Sequence, residues 1–142
     1  MFKQILLPIN LEESDIAGRA IAVAEDFAEK YGAGLTALTA IPDFNSSMVA
    51  SFFPDDAIKK AHAEVCVDMK KFIDSHFRNP AKVHCSVGEG STRKVIIDYV
   101  KKHHIDLVVI PARKRDIGRI LLGSNSAYVV DHAPCSVMVI RP

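Results

Sequence analysis

Between residues 105 and 110 the only polar side chain is Asp106, and the run closes on Leu107, Val108, Val109 and Ile110. A run this short and this rich in branched apolar residues suits a strand buried on both faces, as in a parallel sheet. Four more segments read as strands: residues 2–8 with Ile5, Leu6 and Leu7 in succession, 35–41, 82–87 with Val83, Cys85 and Val87 alternating, and 136–140. The stretches between them repeat at helical spacing. Ile16, Ala20, Ala24, Phe27 and Tyr31 share one face, with Ser14 as N-cap and Gly32 as stop. Ile58, Ala61, Val65, Met69, Phe72 and Ile73 form the next, opened by Pro54. Val95, Ile96, Tyr99 and Val100 follow Ser91, after a turn at Gly88, Glu89 and Gly90, and a last helix runs from near Ser124 to about His132. Strands alternating with helices predict an α/β fold with a parallel sheet and right-handed crossovers. Ligands of such sheets bind beyond the carboxyl ends of strands, which directs attention to residues 8–11 and 111–115.

Length and charge narrow the function. A chain of 142 residues predicts one domain over residues 1–142, and a net charge of +1 gives no field to recruit nucleic acid. No apolar run approaches the ~20 residues of a membrane helix, so no membrane role is expected. Cys66, Cys85 and Cys135 are odd in number and unpaired in spacing, which predicts a reducing, cytoplasmic setting with the thiols as small buried packers. The histidines show no ligand spacing, so no metal site is expected. Neither a Walker loop nor a marked nucleophile occurs, and an enzyme is not expected.

After the fourth strand come Arg113, Lys114 and Arg115, then Gly123, Ser124, Asn125 and Ser126 where the last helix begins. Backbone N–H groups at a helix start carry partial positive charge and lack helical partners, and a glycine beside them lets another group approach. The order suits a bound phosphate. Asn10 can cap the loop after the first strand through its own side chain. Residues 43–53 form a long loop suggesting a lid or crossover, with Met48, Phe52 and Phe53 expected to pack on the core.

The motifs ILLPIN, LTAIP, VGEGS and LLGSNSAYVVDHAPCSVMVI resemble the universal stress protein family over nearly the whole chain, most nearly its short F-type bacterial branch. The resemblance implies an open five-stranded sheet of order 3-2-1-4-5 with helices on both faces, the Rossmann-like arrangement of the adenine-nucleotide alpha hydrolases. It also implies a stress-response regulator that binds ATP or AMP, with Mg2+ possible beside ATP. Pro8, Asn10, Leu11, Thr39, Ala40 and Ile41 would cradle base and ribose; Arg113, Lys114, Gly123, Ser124, Asn125 and Ser126 would hold phosphates. The family's phosphate pattern is G-x-x-G, nine residues, then G-S or G-T. Only Gly123-Ser124 of it is present. One alignment puts Ile110 and Arg113 at the earlier glycines; another, one residue shorter, puts Pro111 and Lys114 there. Asn10 replaces the family's aspartate. Arg113 and Lys114 offer charge-assisted hydrogen bonds in place of loop glycines.

The resemblance further implies a homodimer through the last strand, where Val137, Met138, Val139 and Ile140 would otherwise leave an apolar edge. Two other functions fit the same residues. One is an interaction dimer that has lost nucleotide binding, for which Pro111 and Asn10 speak. The other is a slow nucleotide hydrolase, which would need a positioned base or metal-bound water.

Overall fold

Ile5, Leu6 and Leu7 have no exposed surface, and the strand that carries them, β1 (Gln4–Pro8), lies at the middle of the sheet. The computed structural model describes residues 1–41, 55–113 and 122–141. Within these, β2 (Gly34–Ile41), β3 (Val83–Glu89), β4 (Leu107–Pro111) and β5 (Ser136–Ile140) join β1 in one parallel sheet of order β3-β2-β1-β4-β5. This is the 3-2-1-4-5 order that the resemblance implied. The helices are α1 (Gly18–Tyr31), α2 (Asp55–His76), α3 (Thr92–Lys102) and α4 (Ser124–His132). None is long and apolar enough to cross a membrane.

Alternation along each strand sends side chains to opposite faces, and the two faces form two cores. Ile5, Leu7, Leu35, Ala37, Leu107 and Val109 pack under Ala20, Ile21 and Ala24 of α1 and Met69, Phe72 and Ile73 of α2. Leu6, Leu38, Val108 and Ile110 pack under Val95, Ile96, Ile97 and Val100 of α3 and Val129 of α4. Burying one such side chain fully is worth about 1.5–3 kcal/mol, so β1 alone supplies a large share of the cohesion. The half-buried carboxylate of Asp106 fastens its start, accepting the N–H groups of Lys3 (2.8 Å) and Gln4 (3.0 Å).

Several local expectations are corrected. Ser14 does not cap α1. Instead the Asn10 side chain accepts the Glu12 N–H at 3.0 Å and the Asn10 carbonyl accepts the Glu13 N–H, which tightens residues Leu11–Ile16 into a 3-10 segment before α1 begins. Ile16 therefore leaves the α1 face. Gly88 and Glu89 belong to β3, not to a turn. A Cβ on Gly88 would sit 2.5 Å from Cγ1 of Val95, so a glycine here lets α3 approach the sheet. Ser91 stands at the N-cap position of α3 but its side chain makes no capping bond. Gly32 ends α1 as expected, at φ +62° with its N–H on the carbonyls of Ala28 and Glu29. The three cysteines are half-buried, not buried.

Three of the four helix C-termini, those of α2, α3 and α4, share a device invisible to a search for metal ligands. His76, His103 and His132 each stack on an aromatic ring one turn earlier: Phe72 at 4.1 Å, Tyr99 at 4.0 Å and Tyr128 at 3.9 Å between centroids. Among the described residues no group of three His, Cys, Asp or Glu side chains is placed to hold a metal ion. Pro54 and the 43–53 loop, with Met48, Phe52 and Phe53, lie outside the described residues, as do Lys114 and Arg115.

Candidate functional site

β1 pairs with β2 on one side and β4 on the other, so the crossovers leave it in opposite directions and a crevice opens at the carboxyl ends. A cavity of about 510 Å³ lies there. β1 contributes Pro8, followed by Ile9, Asn10 and Leu11; β2 contributes Leu38, Thr39, Ala40 and Ile41; β4 contributes Ile110 and Pro111, followed by Arg113. Gly123, Ser124, Asn125 and Ser126 close it from the start of α4. The cavity thus gathers every residue expected at a nucleotide site except Lys114, which lies outside the described residues. It also takes in residues that the sequence did not single out for this site: Glu12, Glu13, Ile16, Val65, Thr92, Val95 and Ile96.

Its walls differ in character. Ile41 is buried and, with Leu11, Val65 and Ile96, supplies the cavity's apolar lining. The first turn of α4 adds a polar stretch. Its first internal bond in that ladder is Ala127 N–H to the Gly123 carbonyl at 2.9 Å, so the N–H groups of Ser124, Asn125 and Ser126 precede the helical ladder. Gly123 has φ −62° and ψ 162°, a conformation open to any residue. A Cβ there would meet nothing within 4 Å among the described residues. The backbone does not require a glycine at this position, which lines the cavity next to the three helix-start amides.

Charge in the cavity is already engaged. Arg113 Nε lies 2.6 Å from Oε2 of Glu13, a pair that crosses the crevice from the end of β4 to the 3-10 segment. Glu12 and Glu13 are the acids among the described lining residues and Arg113 is the cation. The Glu13 carboxylate thus offsets the charge of that guanidinium on its Nε side. Asn10 is likewise engaged, its Oδ1 capping the 3-10 segment.

An open parallel α/β sheet of order β3-β2-β1-β4-β5 with a crevice at its carboxyl edge defines a Rossmann-like module. The chain belongs to the universal stress protein family, whose match covers residues 1–141. It is 30% identical to universal stress protein G of Salmonella typhimurium over 99% of this chain and 100% of that one. The solved universal stress protein UspA of Lactobacillus plantarum superposes with a TM-score of 0.71 at 29% identity, over 99% of this chain and 98% of that one. A universal stress protein solved in complex with cAMP superposes with a TM-score of 0.70 at 17% identity, over 98% and 97% of the two chains.

Proposed function

We propose that this chain is a cytoplasmic, single-domain stress-response regulator that binds ATP or AMP as a homodimer and does not turn it over. The observation that carries the nucleotide reading is the start of α4: Gly123 and the first-turn residues Ser124, Asn125 and Ser126 line the same cavity as the apolar Leu11, Ile41, Val65 and Ile96. The relative in complex with cAMP supports an adenine nucleotide as the class. Thr39 to Ile41 and Pro8 to Leu11 then take base and ribose, and Arg113, with Lys114, joins the α4 amides on the phosphates. Mg2+ would arrive with ATP on its phosphate oxygens.

Mass spectrometry of the ligand released on denaturing freshly purified protein tests this directly. A stoichiometric ATP or AMP peak is expected. An empty protein whose melting temperature also ignores millimolar ATP and AMP would instead favour the second reading, an interaction dimer without nucleotide. The Glu13–Arg113 pair gives that reading its foothold, because it satisfies the cation internally. For the same reason Glu13→Gln is expected to tighten ATP binding by up to about fivefold in calorimetric titration, the worth of a half-exposed pair. Weaker binding in the variant would show that Glu13 holds the ligand instead of competing with it.

Support for the homodimer comes from β5, an edge strand with half-buried Val137, Met138, Val139 and Ile140. Pairing with its own copy about a two-fold axis would satisfy that edge. Val139→Lys is expected to shift the protein to monomer in analytical ultracentrifugation; a dimer that persists in a folded variant would rule this edge out as the interface.

A further inference from the structure

β3 forms one edge of the sheet, with β2 as its neighbour. The Gly90 N–H bonds the Ile41 carbonyl of β2 at 2.9 Å, while the Leu38 carbonyl turns the other way and accepts from Ile9 at 2.8 Å. The N–H and C=O of one strand residue share a side, and those of the next residue point opposite. His84, Ser86 and Gly88 therefore bond β2, and Cys85, Val87 and Glu89 turn both groups outward. Among the described residues no further backbone bond reaches these three. Exposed edges are commonly blunted by Pro, Lys or a bulge. β3 has neither Pro nor Lys between Val83 and Glu89, and its register with β2 runs unbroken. Beside this edge lies a second cavity, of about 680 Å³, which holds none of the residues assigned to nucleotide. Val83, Cys85 and Val87 alternate onto its side of the sheet and line it together with Cys66 and Ile73 of α2. Charge is divided between its ends. Lys70 and Asp74 of α2, with exposed Lys82 and His84, stand where β3 begins; exposed Glu89 stands where it finishes.

We propose that this edge takes up an extended peptide segment of another protein as a sixth strand. The outward N–H and C=O groups of Cys85, Val87 and Glu89 bond its backbone, whatever its sequence. Its side chains opposite Val83, Cys85 and Val87 fall on the groove side, so they are apolar. Those opposite His84, Ser86 and Gly88 fall on the other face, where His84 is exposed, so they are polar. Two lysines against one aspartate at the start of β3 favour an acidic residue there, and Glu89 favours a basic one at the other end. The partner is thus a segment of alternating apolar residues with an acid near one end and a base near the other. A second copy of β3 fits this edge worse. It would bring its own α2 over the same face, and α2 rests more on β3 than on β2. Paired strands lie about 4.8 Å apart, whereas packed helices need about 8–10 Å. A peptide strand carries no helix and meets no such crowding.

The test titrates the folded full chain with two end-blocked peptides, Val-Lys-Val-Thr-Val-Asp-Val and its reversal, one for each strand direction, and follows backbone amides by NMR. One of the two is expected to bind saturably, with the amides of Cys85, Val87 and Glu89 shifted and slowed in hydrogen exchange. The same peptide with serine in place of each valine should bind at least about tenfold more weakly, since each buried valine is worth more than that factor. Val87→Pro removes one outward N–H and no bond to β2, the placement at which an edge strand tolerates proline. It should stay folded and lose the peptide. Lys82→Glu, an exposed change, should weaken binding severalfold. The proposal fails if neither peptide saturates by about 1 mM, if the shifts map to β5 or to the crevice, or if the serine peptide binds equally well. It fails too if folded Val87→Pro binds like the wild type. If Val87→Pro lowers the mass of the assembly in ultracentrifugation, a second copy covers this edge and the peptide reading is overturned.

Discussion

Glu25→Ala is expected to destabilise the protein by about 3 kcal/mol, because two backbone donors lose an ionised acceptor and such bonds are worth about 1.5–3 kcal/mol each. Glu25 is 8% exposed and sits on the inner face of α1. Its carboxylate accepts the N–H of Arg78 at 2.8 Å and of Asn79 at 3.2 Å, in the connection that leads from α2 to β3. Arg78 Nε adds a contact at 3.3 Å, and its other arm reaches Asp26 at 2.6 Å. These acids, Asp26 first and then Glu25, hold the Arg78 guanidinium above its ordinary value. Arg78 itself is more than half exposed, so Arg78→Met should have much the smaller effect. Glu25→Gln should fall between the two, since an amide oxygen still accepts from the backbone. At roughly 3 °C per kcal/mol for a chain of this size, the alanine variant should melt about 10 °C lower by circular dichroism. If Glu25→Ala melted no lower than Arg78→Met, the backbone bonds would not be what holds this corner.

Glu25 also shows where the sequence stops being informative. A glutamate in an amphipathic helix reads as solvent-facing, since Glu is seldom buried unless paired, and nothing local announces that its partners lie in the Arg78–Asn79 turn. The Glu13–Arg113 pair is equally illegible: nothing local to Glu13 announces that its partner lies beyond β4. What was legible has a physical basis. A buried parallel strand shows itself as an apolar run, and β5 takes in the run of Val, Met and Ile with Ser136 before it and ends where the run does. In a parallel sheet every strand points the same way, so residues at the ends of separate runs meet on one edge. That is why Pro8, Asn10, Thr39 and Ser124, scattered over the chain, line one cavity.

The misses at that cavity have a second cause. Val65, Val95 and Ile96 repeat at helical spacing and read as core, and core they partly are; each also reaches the cavity from a helix that packs on the sheet. Thr92 stands at the first position of α3, after a glycine turn that drew attention to Ser91 instead. The 3-10 segment after β1 was missed because one side chain decides it. Asn10 offers the backbone a turn that competes with a regular helix start, and spacing rules do not see such competition.

Gly123→Val is expected to abolish nucleotide binding while leaving the fold intact. The fold side follows from the backbone: φ −62° and ψ 162° suit a branched residue, and a Cβ there meets no described atom within 4 Å. Replacing glycine also restricts the unfolded chain, which stabilises by up to about 1 kcal/mol where the native conformation is compatible. The unliganded variant should therefore melt at the wild-type temperature or slightly above. The binding side follows from the place of Gly123 in the cavity lining beside Ser124, Asn125 and Ser126, where two added methyl groups take room from a bound phosphate. A ligand at a hundred times its Kd stabilises by about 2.7 kcal/mol, which for a chain of this length raises Tm by about 5–10 °C, and that shift should vanish. Arg113→Ala separates the two sources of phosphate affinity, because it removes the cation and keeps the amides. A normal ATP shift in Gly123→Val together with its loss in Arg113→Ala would move the phosphates from α4 to the β4 loop. Loss in Gly123→Val with a shift retained in Arg113→Ala would mean that the helix start carries the affinity, with Arg113 left to its ion pair with Glu13.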